Sequence, residues 1–253
     1  MKKLFSSLLF SLAPVVYANA GVVSVSYDHE TINFESQPRI SVLLSILNDK
    51  SRIYWPIAKL YQVDSIIQSD LIADKQLVLE DLRQLIIMWH QHQTISQQLS
   101  ALRREIESWQ LGVVVDTTLD FDLTQLRQEN NPVLDPGSYI LSASKRTNYV
   151  TVVGLGGRSD VVYRNNKAAY QYLQETDFSA EVKDVDEVFY VPNQSLNGNF
   201  EVEPISVSFW NKTKHPLMNG SVLFVPISAD ILTEHYAKLN EQIVKLAQYR
   251  IVR

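Results

Sequence analysis

The chain has 253 residues, of which 45% are hydrophobic, 20% charged and 10% aromatic, and it contains no cysteine. This composition is typical of a globular protein and excludes disorder, collagen-like repeats and a disulfide scaffold. The absence of cysteine also excludes thiol nucleophiles, CxxC redox or zinc sites and a lipid-bearing N-terminal cysteine. The formal net charge of −5 provides no overall positive field, which argues against a general nucleic-acid binder.

The first twenty residues have the pattern of a secretory signal peptide. Lys2 and Lys3 precede an apolar run over residues 4–16, and residues 18–20 form a small-x-small cleavage site. The run is too short for a hydrocarbon core of ~30 Å, and no later window supplies the ~20 apolar residues of a membrane helix. Cleavage after Ala20 removes two positive charges and changes the net charge from −5 to −7. We therefore predict an exported protein of the bacterial periplasm, with an uncleaved membrane anchor as the alternative.

The first mature segments predict a compact α+β unit. Residues 22–27 and 31–34 alternate apolar and polar side chains around an Asp-His-Glu turn, which indicates a β-hairpin. Ile40, Leu43, Leu44 and Leu47 follow at helical spacing, and an apolar run at 53–55 ends at Pro56. The order is therefore ββαβ, in which a helix covers one face of a sheet.

Residues 75–109 contain neither glycine nor proline and are rich in helix-forming residues. Two apolar series step by three or four, one from Val78 to Trp89 and one from Ile95 to Trp109. Thr94 and Gln97 between them match a capping box. We predict two helices packed as an antiparallel hairpin, and one continuous helix is the alternative.

The second half returns to β texture and repeats the order of the first. Strands are predicted at residues 113–115, 139–141, 149–153, 161–163, 188–191, 202–210 and 222–225, with a short helix at 166–173. The glycine cluster at 154–157 is followed by a strand, so it indicates a hairpin turn with Arg158 exposed at its tip, not a dinucleotide-binding loop.

The C-terminal segment predicts an amphipathic helix, because Leu232, Tyr236, Leu239, Ile243 and Leu246 form one apolar stripe. The polar face mixes both signs of charge, which favours packing onto the body of the protein over membrane contact. Self-assembly into a homo-oligomer through this helix is a further hypothesis.

No catalytic constellation is visible. The residues that come nearest to a catalytic set are Asp116, Asp120 and Asp122, since a pair of carboxylates can hydrolyse a glycosidic bond. Our alternative function is therefore a polysaccharide-modifying hydrolase that uses Asp120 and Asp122. Alternating acidic residues at a strand end are more often simply solvated. The sequence predicts no cofactor and no metal site, because His90 and His92 project to opposite sides of a helix.

The sequence is better suited to binding than to catalysis. Aromatic rings stack on the apolar faces of sugars, and arginine forks grip carboxylates or phosphates. The candidate binding residues are Tyr54, Trp55, Trp210, Arg127, Arg146 and Arg158. We favour Arg127, which lies between an acidic segment and an Asn-Asn-Pro turn. A simple ion pair with Asp122 or Glu129 is its alternative role.

Several segments, in this order, resemble the capsule biosynthesis GfcC-like family of exported proteins. They are the signal peptide, residues 54–60, residues 120–122, Arg127, residues 131–134, residues 137–139, residues 150–154, residues 210–211 and the closing helix with Asn240. The resemblance covers nearly the whole mature chain. The sequence departs from the family pattern at Asn148-Tyr149 and at Asp135-Pro136.

The resemblance implies two β-grasp domains with an inserted helical hairpin and a C-terminal amphipathic helix. On this sequence the first domain is 21–72, completed by strands from 112–145; the hairpin is 73–111, the second domain 112–228 and the last helix 229–253. The resemblance also implies an accessory, non-enzymatic role in capsular polysaccharide or exopolysaccharide assembly or export. The expected partners are the polysaccharide, the outer-membrane export machinery, or both.

Overall fold

A computed structural model describes residues 23–50, 55, 58–117, 119–126, 128–143, 148–192, 202–208 and 217–251. The architecture is α+β, with two five-stranded mixed sheets and helices packed against them. The predicted signal peptide and residues 53 and 54 of the predicted third strand lie outside the described residues.

The first sheet has the strand order β2-β1-β5-β3-β4. Its elements are β1 (Val23–Tyr27), β2 (Glu30–Phe34), helix α1 (Ile40–Lys50), β3 (Lys59–Gln62), β4 (Val113–Val114) and β5 (Gly137–Ser142). The predicted hairpin is confirmed, since β1 pairs antiparallel with β2, and β1 also pairs in parallel with β5. A third strand ending at Trp55 is wrong: Trp55 lies in a helical turn and the strand follows Pro56, where Leu60 supplies a buried side chain.

A hairpin of two long helices is inserted between β3 and β4, formed by α2 (Ile66–Met88) and α3 (Gln93–Ser108). Two helices are confirmed and one continuous helix is wrong. Lys75 Nζ in α2 donates to the carbonyl of Trp109 just after α3, at 2.7 Å, and Arg103 Nε in α3 donates to the carbonyl of Leu79, at 3.4 Å, so the helices are antiparallel. The capping box predicted at Thr94 is wrong, because the N-cap of α3 is His92, two residues earlier, and its side chain makes no capping hydrogen bond.

The second sheet repeats the arrangement of the first, with the order β7-β6-β10-β8-β9. A short helix α4 (Phe121–Leu126) precedes β5, and the second unit comprises β6 (Tyr149–Gly154), β7 (Gly157–Val162), helices α5 (Ala169–Gln174) and α6 (Ala180–Lys183), β8 (Glu187–Val191), β9 (Glu203–Ser206) and β10 (Val222–Phe224). The glycine cluster forms a hairpin turn as predicted, with Gly154 paired to Gly157. The last strand β10 is parallel to β6, as β5 is to β1.

The buried residues form two cores. The first lies between α1 and the first sheet. The second combines the second sheet with apolar residues of α2 and α3, so the helical hairpin that leaves the first sheet is part of the other unit's core. Backbone hydrogen bonds close this connection, since the amide of Ile251 donates to Gln110 at 2.8 Å and the amide of Gly112 donates to Tyr249 at 3.0 Å.

The last helix, α7 (Leu239–Gln248), packs onto the body of the protein as predicted. A helix that starts at residue 229 is wrong, because α7 begins ten residues later and Leu232 of the predicted stripe lies outside it. Leu239, Ile243 and Leu246 are fully buried, while Tyr236 of the same stripe precedes the helix in a 3₁₀ turn. Because this apolar face is buried in the chain's own core, it gives no support to self-assembly through the helix. Within the described residues, no helix is both long and apolar enough to cross a membrane.

Candidate functional site

The predicted binding residues are not assembled into one site by the part of the chain that the structure describes. Tyr54, Arg127, Arg146 and Trp210 lie outside the described residues. Trp55 is half-buried and packs against the first core, whereas Arg158 lies on β7 in the second sheet.

Arg158 is at the hairpin tip, as predicted, but its guanidinium is engaged by a neighbouring carboxylate. Its Nε and Nη2 donate to Asp160 at 2.9–3.1 Å, and Thr151 donates to the same carboxylate at 2.7 Å. Burial acts to lower the pKa of Arg158, but its bond to Asp160 outweighs this and the pKa is raised. An acidic ligand would therefore have to displace Asp160 to use the fork.

A second arginine lies behind this pair in a largely buried cluster. Arg250 Nη2 is 3.8 Å from Glu105, the guanidinium faces the ring of Trp109, and Trp109 Nε1 donates to Glu105 at 2.9 Å. Burial, followed by the positive charge of Arg158, lowers the pKa of Arg250. With two arginines balanced by Asp160 and Glu105, the cluster ties α3, β7 and the C-terminus together without presenting net positive charge.

The acidic residues of the hydrolase alternative have structural roles at a short helix. Asp120 Oδ1 accepts a hydrogen bond from the amide of Leu123 at 2.9 Å and so caps the N-terminus of α4. Asp122 lies exposed in the first turn, where a negative charge favours the helix dipole. This geometry gives the hydrolase no support.

Several residues that carried the family resemblance make hydrogen bonds that hold separate parts of the fold together. Asn131 Oδ1 accepts from the amide of Ser41 at 2.9 Å at the start of α1. The amide of Ser138 donates to Asp64 at 2.6 Å, and a Cβ on neighbouring Gly137 would lie 2.8 Å from that carboxylate. Asn240 accepts from the amide of Ile227 and donates to its carbonyl, both at 2.9 Å.

A cleft of about 500 Å³ opens where β1 turns into β2 and β5 ends. Residues 26–31 form one wall and residues 140–143 the other. The turn has only two residues, Asp28 and His29, because Tyr27 pairs with Glu30. Asp28 has a φ of +52°, a left-handed conformation that aspartate tolerates better than most residues.

The floor of this cleft is part of a sheet face that carries small side chains with hydroxyl groups. Val25, Tyr139 and Leu141 point into the first core, so strand alternation places their neighbours on the opposite face of the sheet. We name that set the hydroxyl face; it comprises Ser24, Ser26, Thr31, Ser138 and Ser142.

Cross-strand contacts hold the hydroxyl face in place. Ser24 Oγ donates to Ser138 Oγ at 3.3 Å, and the hydroxyls of Ser26 and Thr31 are 3.1 Å apart. Lys59 lies opposite Ser142 on β3, and burial lowers its pKa to about 7. Tyr61 lies on the same face of β3 and is buried, so the accessible part of the hydroxyl face ends at β5.

The chemistry of the cleft suits an uncharged polyhydroxylated ligand. Its hydroxyls can both donate and accept, the carboxylates of Asp28 and Glu30 accept, and Ile140 offers an apolar contact. Among the described residues, no lysine or arginine lines it, so this part of the chain offers little to attract a polyanion. Among the described residues, no group of three or more histidine, aspartate and glutamate side chains is placed to hold a metal ion.

Sequence reasoning missed this site because its residues are common ones. The alternation Val-Ser-Val-Ser-Tyr in β1 indicated a half-buried strand and nothing more. Only the parallel pairing with β5, more than a hundred residues away, brings Ser138 and Ser142 beside it.

Two family models match the chain, and together they cover most of it. Residues 18–146 match the model described as capsule biosynthesis GfcC, N-terminal. Residues 157–252 match the model described as capsule biosynthesis GfcC C-terminal. The boundary between the matches falls beside the start of the second sheet.

Proposed function

The chain belongs to the capsule biosynthesis GfcC family, and on that basis we propose that it is a periplasmic accessory protein that binds glycan during capsule or exopolysaccharide assembly or export. One observation carries the glycan-binding part: the cleft of about 500 Å³ that opens onto the hydroxyl face. Hydroxyls and carboxylates placed on a rigid sheet can exchange hydrogen bonds with sugar hydroxyls. The volume of the cleft falls within the range of about 300–1,000 Å³ that is typical of ligand pockets.

Both units are β-grasp domains in this proposal. The supporting feature is the shared order of hairpin, helix and strands, closed by a last strand parallel to the first. The first domain combines 21–65 with the strands of 112–145. The interrupting hairpin runs over 66–111 in place of the predicted 73–111, because α2 begins at Ile66. The second domain precedes the last helix.

The binding claim is tested with the purified mature chain, residues 21–253, and oligosaccharides cut from the capsular polymer of the source strain. Thr31→Val removes one hydroxyl of the cleft while keeping side-chain volume and β propensity. We expect affinity to fall about three- to tenfold, since one hydrogen bond contributes about 0.5–1.5 kcal/mol.

Thr233→Val is the matched control. Thr233 is exposed in the second half of the chain and its side chain makes no capping hydrogen bond. Equal affinities for the wild-type protein and both variants would count against the cleft as the binding site.

Location and cellular role need separate measurements. We expect osmotic shock to release the protein with periplasmic markers, and deletion of its gene to reduce surface polysaccharide. Arg127→Ala should have the same effect on polysaccharide at unchanged protein abundance if Arg127 contacts polymer or exporter. Normal polysaccharide export by a variant present at normal abundance would show that Arg127 is not part of the binding surface.

A further inference from the structure

A second cavity, of about 360 Å³, lies where the helical hairpin meets the second sheet. The first two turns of α3, the β6–β7 turn at Leu155, the segment before β8 and the segment after β10 line it. Thr94 and Ser228 in this lining are exposed, so the cavity opens to solvent. Small-molecule pockets begin at about 300 Å³, so this cavity holds far more than the single water of ~30 Å³ that a packing defect would admit.

The lining is mostly apolar, and none of the described residues in it is charged. Leu155, Val182 and Ile231 are typical of the apolar part, and the polar part is Thr94, Gln98 and Ser228. An ionised ligand group entering this cavity would lose its hydration without gaining a charged partner.

The polar groups are placed to make hydrogen bonds with a ligand. Gln98 Nε2 donates to Ser179 Oγ at 3.0 Å, which fixes the amide and leaves Oε1 as an acceptor. The hydroxyls of Thr94 and Ser228 have no hydrogen-bond partner in the described part of the chain.

The walls are held by contacts outside the cavity. Trp89 Nε1 donates to the carbonyl of Ile231 at 3.1 Å, which joins the turn between α2 and α3 to the segment after β10. Gly156 next to Leu155 lies so close to Phe178 that a Cβ there would be 2.1 Å from the ring. The cavity is therefore preformed.

We propose that this cavity binds the acetamido group of an N-acetylated sugar, an inference that rests on the proposed glycan-binding function. An acetamido group combines a small apolar methyl with a flat, uncharged amide that both donates and accepts. It therefore matches an aliphatic lining with hydroxyl and amide side chains, whereas a plain hexose leaves the aliphatic lining unfilled and a uronate brings a charge.

The experiment compares N-acetylglucosamine, glucose and glucuronate by NMR titration of the mature chain. We expect N-acetylglucosamine to cause saturable shifts at Thr94, Gln98 and Leu155, and the affinities followed at these residues to be at least about tenfold weaker for the other two sugars. Thr94→Val should weaken binding about three- to tenfold, and Leu155→Trp, which fills the cavity, should abolish it. Ser69→Ala, at an exposed position near the start of α2 and outside both linings, is the control and should leave it unchanged.

Equal affinities of the three sugars at the cavity residues would overturn the proposal. So would binding of N-acetylglucosamine at these residues that Thr94→Val leaves intact. Thr94→Val keeps the test valid if Leu155→Trp fails to fold. If N-acetylglucosamine does not bind at the cavity but capsular oligosaccharides still bind at the cleft, the acetamido site alone is refuted. Loss of both interactions in the wild-type protein would refute the proposed function as well.

Discussion

Gly156 shows how a single backbone position fixes the second hairpin. The ring of Phe178 occupies the space where a side chain would project, with the nearest ring atom 2.1 Å from a built Cβ. Gly157 differs: its φ of +84° favours glycine or asparagine, and the nearest atom to a Cβ there is 3.5 Å away.

These two glycines give a matched pair of substitutions. We expect Gly156→Asn to lower the free energy of unfolding by at least about 2 kcal/mol, because the side chain overpacks against Phe178. Gly157→Asn should lower it by less than about 1 kcal/mol, since asparagine tolerates the left-handed region. Urea unfolding followed by circular dichroism measures both, and equal losses would show that Phe178 moves freely aside.

Lys59 makes stability depend on pH. Burial lowers its pKa from 10.5 to about 7 in the folded protein, so between these values the folded state binds fewer protons than the unfolded state. The contribution of Lys59 to unfolding free energy should therefore rise with pH across this window. Urea unfolding of wild type and Lys59→Met at pH 7 and pH 9.5 tests this, and we expect the variant's relative advantage to shrink at the higher pH. A constant difference would mean that Lys59 titrates normally.

Several site residues could not be predicted because their partners are distant in sequence. Asn131 caps α1 from 90 positions away, and Asp64 binds the amide of Ser138 across 74 positions. In the sequence, Asn131 belonged to an ordinary turn signal and Asp64 to no pattern at all. By contrast, the turn at Gly154–Gly157 was predictable because its physics is local.

At the scale of elements, Asn240 joins α7 to the end of the second sheet through its two bonds to Ile227. Asn240→Asp replaces the donor Nδ2 with an oxygen and leaves the Ile227 carbonyl unpaired. We expect a loss of about 1–3 kcal/mol in unfolding free energy. Asn33→Asp, on the exposed edge strand β2, is the control and should change it by less than about 0.5 kcal/mol. Equal losses of unfolding free energy in the two variants would show that the bonds of Asn240 to Ile227 do not stabilise the fold.

The helical hairpin stabilises the second sheet more than the sheet from which it emerges. Leu102 of α3 is fully buried in the second core, and Leu44 of α1 is fully buried in the first. Leu102→Ala should cost about 2–5 kcal/mol and reduce amide-exchange protection mainly in β6, β8 and β10. Leu44→Ala should instead reduce protection in β1, β3 and β5. Identical exchange patterns in the two variants would show that the two cores unfold as one unit.

The elements themselves were largely predictable, and the errors have physical causes. The apolar series at Val78, Leu82 and Leu85 and at Leu99, Leu102 and Ile106 marked helix faces correctly, because all six side chains are buried. The third strand was displaced because an apolar run before Pro56 looked more strand-like than Lys59–Gln62. The predicted break between α2 and α3 differs from the observed one because a tertiary hydrogen bond, from Trp89 to the carbonyl of Ile231, fixes the turn between the helices.

At the scale of the whole molecule, two similar α+β units are joined by an insertion that belongs to the core of the second. The sequence predicted the repeated ββαβ order, but the parallel pairing that completes each sheet needed the structure. That pairing also assembles the cleft. The sequence pointed instead to arginines, and the described one, Arg158, is already held by Asp160.

The most direct test of glycan binding at the cleft maps contacts residue by residue. Oligosaccharides from the strain's own capsular polymer are titrated into isotopically labelled mature chain, and backbone amide shifts are followed by NMR. We expect saturable shifts concentrated at residues 26–31 and 140–143, with a lower affinity in Thr31→Val and an unchanged one in Thr233→Val. Saturable shifts confined to surfaces away from these residues, or no shifts at all, would contradict glycan binding at the cleft.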